Sequence, residues 1–240
     1  IRDFGEIENL QVSLKGPGDF VTASDKRVEK ILIEEFQKAR PNYSILSEEI
    51  GEINNDESFK WIIDPIDGTS NFLHGIPHFA ISIGLEHNKE IICGIIYDPI
   101  KDEMFTAEKG QGAWLNDRRL RVSDRTNTIE MLFATGVPFG TKNGLKSTLK
   151  ELEKLMPKCA GVRRQGAAAL DLAYVAAGRL DGYWEKGIQA WDIAAGLVIA
   201  KEAGALIEGF ASPLEDPLTS GSVICANNLI FKNFAEILRE

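Results

Sequence analysis

The chain has few cysteines and no long apolar segment. Its 240 residues include three cysteines, Cys93, Cys159 and Cys225, which are widely spaced and form no CxxC pair. This spacing argues against a disulfide framework or a zinc site, and it favours a reducing compartment such as the cytoplasm. No apolar run reaches the roughly 20 residues that a membrane-spanning helix needs, so we expect no membrane segment. The sequence also lacks an internal repeat, a low-complexity segment and a nucleotide-binding P-loop.

Basic residues are fewer than acidic ones. Lys and Arg total 27 against 36 Asp and Glu, which gives a formal net charge of −9. A surface of that sign repels nucleic acid and acidic membranes, so we expect no direct binding to either. An anionic ligand would need positive charge supplied locally, and bound metal ions are one source of it. The hydrophobic content of 44% and the charged content of 26% are ordinary for a globular protein.

The stretch over residues 61–71 is typical of a metal-binding turn. It begins as a buried strand, which we expect to end at Asp64 because the following proline restricts that residue to extended backbone. Asp67 and Gly68 form a turn signal, where the chain should fold back sharply. Such a turn would aim two carboxylates and the Ile66 carbonyl oxygen at one point, and oxygen ligands of this kind suit Mg²⁺. From these residues alone, an aspartate-rich turn that only caps a strand remains an equal alternative.

Further acidic residues stand next to the ends of predicted elements. Glu48 and Glu49 follow a short strand, and two adjacent glutamates are most often a solvated pair. Asp25 has the spacing of a capping box at the start of a helix. Asp192 directly precedes a predicted helix, where an aspartate is normally an N-cap. Glu185 is expected at the end of a strand. Local structure alone explains each of these positions.

An alanine-rich helix is expected to open at Gly166, Ala167 and Ala168. The N-terminus of a helix exposes unpaired amides that favour anions or bind hydroxyl oxygens. Most glycine-alanine helix starts are simply close-packed, so the sequence of this segment leaves both interpretations open.

The remaining pattern indicates a chain of mixed α and β structure. Alternating apolar residues predict consecutive strands over 79–86, 90–97 and 103–107, joined by turns into an antiparallel meander. The second half of the chain alternates between helices and strands. The first predicted helix carries an apolar face at helical spacing, formed by Val28, Ile31, Leu32, Phe36 and Ala39.

A polar segment over residues 122–127 indicates a soft boundary inside the chain. We therefore expect an N-terminal part over residues 1–124 that carries most of the candidate metal ligands. A C-terminal part over residues 125–240 would carry Asp192 and the substrate contacts.

Two strings in the sequence resemble those of the inositol monophosphatase family. Residues 61–72 read W-I-I-D-P-I-D-G-T-S-N-F and resemble the family's signature, with Ser70 where threonine is common. Residues 191–196 read W-D-I-A-A-G and match its second signature. Glu48 stands at the position of the family's G-E-E-[ST] motif, although Ser47 and Ile50 depart from it. The resemblance extends over nearly the whole chain, and it implies a layered α-β-α-β-α sandwich and a homodimer.

The resemblance also implies roles for individual residues. Family members are Mg²⁺-dependent, Li⁺-sensitive phosphatases, with two to three Mg²⁺ ions in each active site. The implied metal ligands are Glu48, Asp64, the Ile66 carbonyl, Asp67 and Asp192. Glu48 and Thr69 would assist the attacking water, and Asp25 would hydrogen-bond Thr69. The implied substrate contacts are Asp67, Gly68, Thr69, Gly166, Ala167, Ala168, Glu185 and Asp192, with Ala167 lacking the hydroxyl usual in the family.

The predicted function is therefore the Mg²⁺-dependent hydrolysis of inositol 1-phosphate, a small phosphorylated polyol, to inositol and phosphate. Alternatives within the same superfamily are a sugar-phosphate phosphatase, including fructose-1,6-bisphosphatase activity, and a 3′(2′),5′-bisphosphate nucleotidase. A different class of function is regulatory, because some similar bacterial proteins act with RNA polymerase in transcription antitermination. The net charge of −9 argues against direct RNA binding but leaves a protein partner open.

Overall fold

A computed structural model describes residue 4 and residues 12–16, 19–55, 58–139 and 143–240. Within these residues the helices are α1 (Ala23–Ala39), α2 (Thr69–Leu73), α3 (Leu145–Leu155), α4 (Ala168–Ala176), α5 (Ala190–Glu202), α6 (Pro217–Ser220) and α7 (Phe231–Arg239). None of them is both long enough and apolar enough to cross a membrane.

The strands form three sheets in the described part of the chain. An antiparallel pair consists of β1 (Val12–Gly16) and β2 (Asp19–Thr22). A large sheet contains β3 (Ser44–Ser47), β4 (Gly51–Ile53), β5 (Phe59–Asp67), β6 (Ala80–His87), β7 (Glu90–Asp98), β8 (Glu103–Glu108), β9 (Gly112–Leu115) and β10 (Arg118–Arg119). Its strand order is β10-β9-β8-β7-β6-β5-β3-β4, and β3 is parallel to β5. The predicted antiparallel meander is confirmed within one residue at each end as β6, β7 and β8.

A five-stranded sheet follows in the second half. It contains β11 (Leu132–Thr135), β12 (Gly161–Arg163), β13 (Gly182–Lys186), β14 (Ala205–Glu208) and β15 (Ser222–Asn227), in the order β12-β11-β13-β15-β14. All strands of the large sheet precede residue 124, and all strands of this sheet follow it. The division of the chain at residue 124 into two parts remains a prediction.

The elements stack in five layers. Helix α1 packs on β5 at one face of the large sheet, and α5 packs across β5 to β9 at the other. Helix α4 lies beside α5 and contacts β11, β13 and β15 of the five-stranded sheet. Helices α3 and α7 cover the outer face of that sheet through an apolar cluster that includes Phe133, Trp184 and Phe234. The predicted mixed α and β class and its α-β-α-β-α sandwich are thus confirmed.

Helix α5 approaches the large sheet closely because two strands present glycine to it. A Cβ on Gly84 would lie 2.9 Å from the Ala194 Cβ, and one on Gly94 would lie 2.6 Å from the Ala195 carbonyl oxygen. The Ser82 hydroxyl also donates to the Trp191 carbonyl oxygen over 3.3 Å. The start of α5, where Asp192 lies, is therefore held against β5 and β6.

The prediction that the strand ends at Asp64 is wrong, because β5 continues to Asp67. Asp64 pairs with Ser82 and Asp67 with Ala80, so β5 contains one residue more than β6 between these pairs. This insertion is a β-bulge, where proline is tolerated because the ladder is already interrupted. The predicted turn leads through Gly68, at φ +93°, into α2.

The buried face of α1 agrees with the predicted one only in part. Two of the predicted residues, Leu32 and Phe36, pack against the core, but Ile31 is 55% exposed. The most deeply buried residues, Asp25, Glu29 and Ile33, follow the four-residue spacing of a single helix face. The apolar pattern missed Asp25 and Glu29 because both are acidic.

Candidate functional site

Three aspartates meet where β5 ends and α5 begins. Each of Asp64, Asp67 and Asp192 offers a carboxylate oxygen, and these oxygens lie within 4.8 Å of one another. Asp64 and Asp67 are buried, at 2% and 7% exposure. Asp64 and Asp192 are 128 positions apart in sequence, so only the fold brings them together. Carboxylate oxygens are hard donors, and a group of this kind could hold Mg²⁺.

Backbone amides orient the three carboxylates. The Ile66 amide donates to Asp64 Oδ1 over 2.9 Å. The Ala169 amide, in the first turn of α4, donates to Asp67 Oδ2 over 2.7 Å. Asp192 Oδ2 accepts the Gln189 amide over 2.7 Å, because α5 begins at Ala190 and Gln189 is its N-cap. The helix predicted to follow Asp192 therefore starts earlier, and Asp192 lies in its first turn.

The carboxylates destabilise one another's charged forms. Burial raises the pKa of Asp64 well above its usual value, and the charges of Asp67, Glu48 and Asp192 raise it further. Burial also raises the pKa of Asp67, followed by the charge of Asp192, while the Ala169 amide lowers it. Acids this close cannot all be ionised without a cation among them. The donor set therefore fits a divalent metal.

Glu48 lies at the edge of this group. It follows β3 in a turn, and its backbone amide donates to the Ile63 carbonyl oxygen of β5 over 3.2 Å. Its charge acts on Asp64, but its oxygens are not among the three that lie mutually within 4.8 Å. Glu48, Glu185 and Asp192 all line a cleft of about 730 Å³. The structure thus places Glu48 near Asp64, and Glu48 faces the same cleft as Glu185 and Asp192.

Thr69, at the start of α2, is held between two acceptors. Its hydroxyl lies 3.2 Å from Asp25 Oδ1 and 3.0 Å from the Ile66 carbonyl oxygen. Asp25 is fully buried, and its Oδ2 accepts the Thr22 amide over 2.9 Å in the capping box of α1. Asp25 therefore serves both as the helix-start acid that its spacing predicts and as a partner of Thr69.

A cavity of about 140 Å³ adjoins the aspartates. Of the predicted substrate contacts, its lining includes Asp67, Gly166, Ala167, Ala168, Glu185 and Asp192. Gly68 and Thr69 are outside this lining. A Cβ on Gly68 would lie 3.3 Å from the Gly166 carbonyl oxygen and from the Ala167 Cβ, so Gly68 packs against the wall of the cavity instead.

Sequence reasoning missed Gly136 in this cavity. A Cβ on Gly136 would lie 1.8 Å from Glu185 Oε1, so the Glu185 carboxylate occupies space that only glycine leaves open. Tyr183 holds that carboxylate in place, because its hydroxyl donates to Glu185 Oε2 over 2.6 Å. The one signal in the sequence is a glycine-rich segment directly after β11, which does not indicate what Gly136 faces.

The family resemblance seen in the sequence is confirmed. A model of the inositol monophosphatase family matches residues 2–240, and the chain therefore belongs to this family of phosphatases. It is similar to the inositol-1-monophosphatase of Mesorhizobium japonicum, with 52% identity over 233 residues, which are 95% of this chain and 86% of that protein. It is also similar to the Nus factor SuhB of Pasteurella multocida, with 43% identity over 226 residues, 94% of this chain and 84% of that protein.

A solved structure agrees with the fold. The extragenic suppressor protein suhB from Bartonella henselae matches with a TM-score of 0.95 and 48% sequence identity. The match covers 100% of this chain and 92% of that one.

Proposed function

We propose that this protein hydrolyses inositol 1-phosphate to inositol and phosphate in a Mg²⁺-dependent reaction. The observation that carries the proposal is the group of three buried or half-buried aspartates beside a cavity that contains a further carboxylate, Glu185. Two to three Mg²⁺ ions would be held by Glu48, Asp64, the Ile66 carbonyl, Asp67 and Asp192. When bound, Mg²⁺ supplies the positive charge that offsets the phosphate and the developing charge of the transition state.

The chain's own residues orient the attacking water. Glu48 and Thr69 would contact this water, since the charge of Glu48 acts on Asp64 and the Thr69 hydroxyl is bonded to the Ile66 carbonyl, a proposed metal ligand. Asp25 and the Ile66 carbonyl oxygen restrict the Thr69 hydroxyl, so little rotational freedom is lost when water binds. The water oxygen attacks phosphorus, the bond from phosphorus to the ester oxygen breaks, and that oxygen leaves as a hydroxyl with a proton that derives from the attacking water.

The cavity favours a polyol as the leaving group. Glu185 is an acceptor for ring hydroxyls, and Tyr183 holds it in place. Arg164 also lines this cavity, so the charge of the lining does not by itself exclude a second phosphate group. The proposal of inositol 1-phosphate as the substrate therefore rests on Glu185 and on the family.

The direct experiment measures phosphate release from inositol 1-phosphate, 3′-phosphoadenosine 5′-phosphate, fructose 1,6-bisphosphate and glycerol 2-phosphate, with Mg²⁺ and with EDTA. We expect the highest kcat/KM for inositol 1-phosphate and no release in EDTA. Preference for a bisphosphate would contradict the proposed substrate but not the proposed metal site. Release that is unaffected by EDTA would contradict the metal site.

A regulatory function is the second candidate, and one observation favours it. The chain is 43% identical to a protein named as a Nus factor. We propose RNA polymerase as the partner in that case. A pull-down of purified RNA polymerase with the Asp192→Asn variant would detect binding independently of turnover. The regulatory function is rejected if polymerase is recovered no better than with an unrelated acidic protein.

The family also leads us to propose a homodimer, inhibition by Li⁺ and a cytoplasmic location. Light scattering of the purified chain gives its mass in solution, and a monomer at micromolar concentration would contradict the dimer. Phosphate release in LiCl compared with KCl at equal ionic strength tests the inhibition.

A further inference from the structure

Helix α1 presents two acidic side chains to the site from one face. Asp25 and Glu29 are four residues apart, a spacing that places both on the same side of a helix. Both are buried, at 0% and 2% exposure. Asp25 contacts Thr69, as described above. Glu29 has no role in the function proposed so far, and a buried glutamate is unusual unless its charge is hydrogen-bonded.

Glu29 is bonded to the turn that carries Glu48. Its Oε1 accepts the Glu49 amide over 3.0 Å and the Ile50 amide over 3.2 Å. The Ser47 hydroxyl, itself fully buried, donates to the same oxygen. Glu48 lies between these donors in sequence. A single oxygen atom of Glu29 therefore accepts hydrogen bonds from residues on both sides of Glu48.

The turn is also attached to β5. The Glu48 amide donates to the Ile63 carbonyl oxygen, one residue before Asp64. The Glu48 backbone is thus fixed to the strand that carries Asp64 and, through Glu29, to α1. Together the two attachments fix the backbone from which the Glu48 side chain extends.

We propose that Glu29 is a positioning residue, which holds the turn over residues 47–50 so that the Glu48 carboxylate faces Asp64. The proposal rests on the function proposed above, since Glu48 is assigned there to the metal and the attacking water. Glu29 acts through the position of its Oε1 rather than through its charge. If that oxygen withdraws, two amides and a buried hydroxyl lose their acceptor, and the turn must rearrange to find water.

Two substitutions separate position from charge. Glu29→Gln keeps an acceptor oxygen at the same reach but removes the charge. Glu29→Asp keeps the charge but shortens the side chain by one methylene group. The matched controls are Glu34→Gln and Glu34→Asp, because Glu34 is an exposed glutamate on the same helix, with a side chain that is 53% exposed.

The readout is Mg²⁺ affinity, measured by calorimetry without substrate and from the Mg²⁺ dependence of phosphate release. We expect Glu29→Asp to weaken Mg²⁺ binding about 10- to 100-fold, which is typical when support of a metal ligand is lost. Its KM for substrate at saturating Mg²⁺ should stay near that of the wild type. Glu29→Gln and both Glu34 variants should bind Mg²⁺ within about threefold of the wild type.

The opposite result, in which Glu29→Gln weakens binding and Glu29→Asp does not, would show a role for charge and overturn the proposal. Equal affinity in all variants would also overturn it. Should Glu29→Asp not fold, judged by circular dichroism in EDTA, Ser47→Ala removes one of the three bonds, and unchanged affinity there rejects the proposal. If the wild type itself binds no Mg²⁺, the proposed function fails rather than the role of Glu29.

Discussion

Single carboxylates in the site repel one another while their backbone partners hold them in place. Asp67 shows both effects, because Asp192 raises its pKa and the Ala169 amide lowers it. Neutralising one of these carboxylates should therefore weaken metal binding and leave metal-free stability unchanged or higher. Two predictions follow from individual side chains.

Asp192→Asn should reduce kcat/KM by more than about a hundredfold. Mutation of a residue that only supports a metal ligand already lowers metal affinity or activity about 10- to 100-fold. An asparagine oxygen can still accept the Gln189 amide, so the start of α5 should stay intact. Removing one of three neighbouring charges should leave the melting temperature in EDTA equal to or above that of the wild type. Phosphate release and thermal denaturation measure the two effects. Near-normal activity would remove Asp192 from the proposed metal site.

Gly136→Ala should displace the Glu185 carboxylate, because the new methyl group would occupy the position of that carboxylate. Loss of one hydrogen bond that a ring hydroxyl donates to a charged carboxylate costs about 1.5–3 kcal/mol, or roughly 10- to 100-fold in kcat/KM. Mg²⁺ affinity should not change, because Glu185 is not among the proposed ligands. Steady-state kinetics and Mg²⁺ calorimetry together check this prediction. A decrease in Mg²⁺ affinity alongside the decrease in kcat/KM would contradict it.

The candidate site was only partly predictable from its residues. Asp64, Asp67 and Asp192 stand in recognisable strings, so their proximity could be expected from the family resemblance. Gly136 and Glu29 carry no such signal. Their importance depends on what lies opposite them in the fold, which the local sequence does not encode.

At the scale of elements, α2 connects the two halves of the site. The Asn71 amide group donates to the His78 carbonyl oxygen and to the Gln165 carbonyl oxygen, each over 2.8 Å. Gln165 directly precedes Gly166 in the wall of the cavity. The segment after β5 and the segment before α4 are therefore joined by one buried side chain.

Asn71→Ala should lower the free energy of unfolding by about 1–3 kcal/mol, since it leaves two carbonyl groups without their donor. The change should also weaken substrate binding more than Mg²⁺ binding, because the cavity wall moves while β5 does not. Urea denaturation gives the first quantity and steady-state kinetics the second. Asn233→Ala, on the exposed side of α7, is the control and should change neither. An unfolding free energy equal to that of the control would contradict the prediction.

Element boundaries were predictable where turn-forming or helix-capping residues mark them. The meander turns at residues 87–89 and the capping box at Thr22 lie where the sequence indicates. Pro65 misled the prediction because a bulge lets β5 continue past it. The α1 face was predicted only in part, because its buried residues include Asp25 and Glu29, which a search for apolar spacing does not detect.

At the scale of the whole molecule, metal binding should couple to stability. In EDTA, burial and repulsion raise the pKa of Asp64 and Asp67 above the ordinary value that they have in the unfolded chain. The folded protein then binds more protons than the unfolded chain, so the free energy of unfolding should fall as the pH rises above about 4. Mg²⁺ binds the ionised carboxylates and should reduce this decline.

Thermal denaturation between about pH 5 and 8, in EDTA and in Mg²⁺, measures this coupling. We expect the melting temperature to decrease more steeply with pH in EDTA, and the stabilisation by Mg²⁺ to be largest at high pH. The difference between the two conditions removes the contribution of groups away from the metal site. Parallel pH profiles would contradict the prediction.

The layering of the molecule lay beyond what periodicity alone could predict. Alternation and helical spacing indicate strands and helices, but both faces of the large sheet are covered, and nothing in the strands tells which helix covers which face. The α-β-α-β-α order came from the family resemblance. Close contacts of α5 with Gly84 and Gly94 show physically why that order is stable.

The bulge in β5 has one more consequence. Side chains alternate between the faces of a strand, so residues three positions apart normally point in opposite directions. Asp64 pairs with Ser82 and Asp67 with Ala80, and both partners face the layer of α4 and α5. The one extra residue of the bulge thus brings two aspartates that are three positions apart to the same face of β5. In a regular strand with the same sequence, one of them would point towards α1. The approach of the two carboxylates therefore depends on the local geometry of the strand between them as well as on their identity.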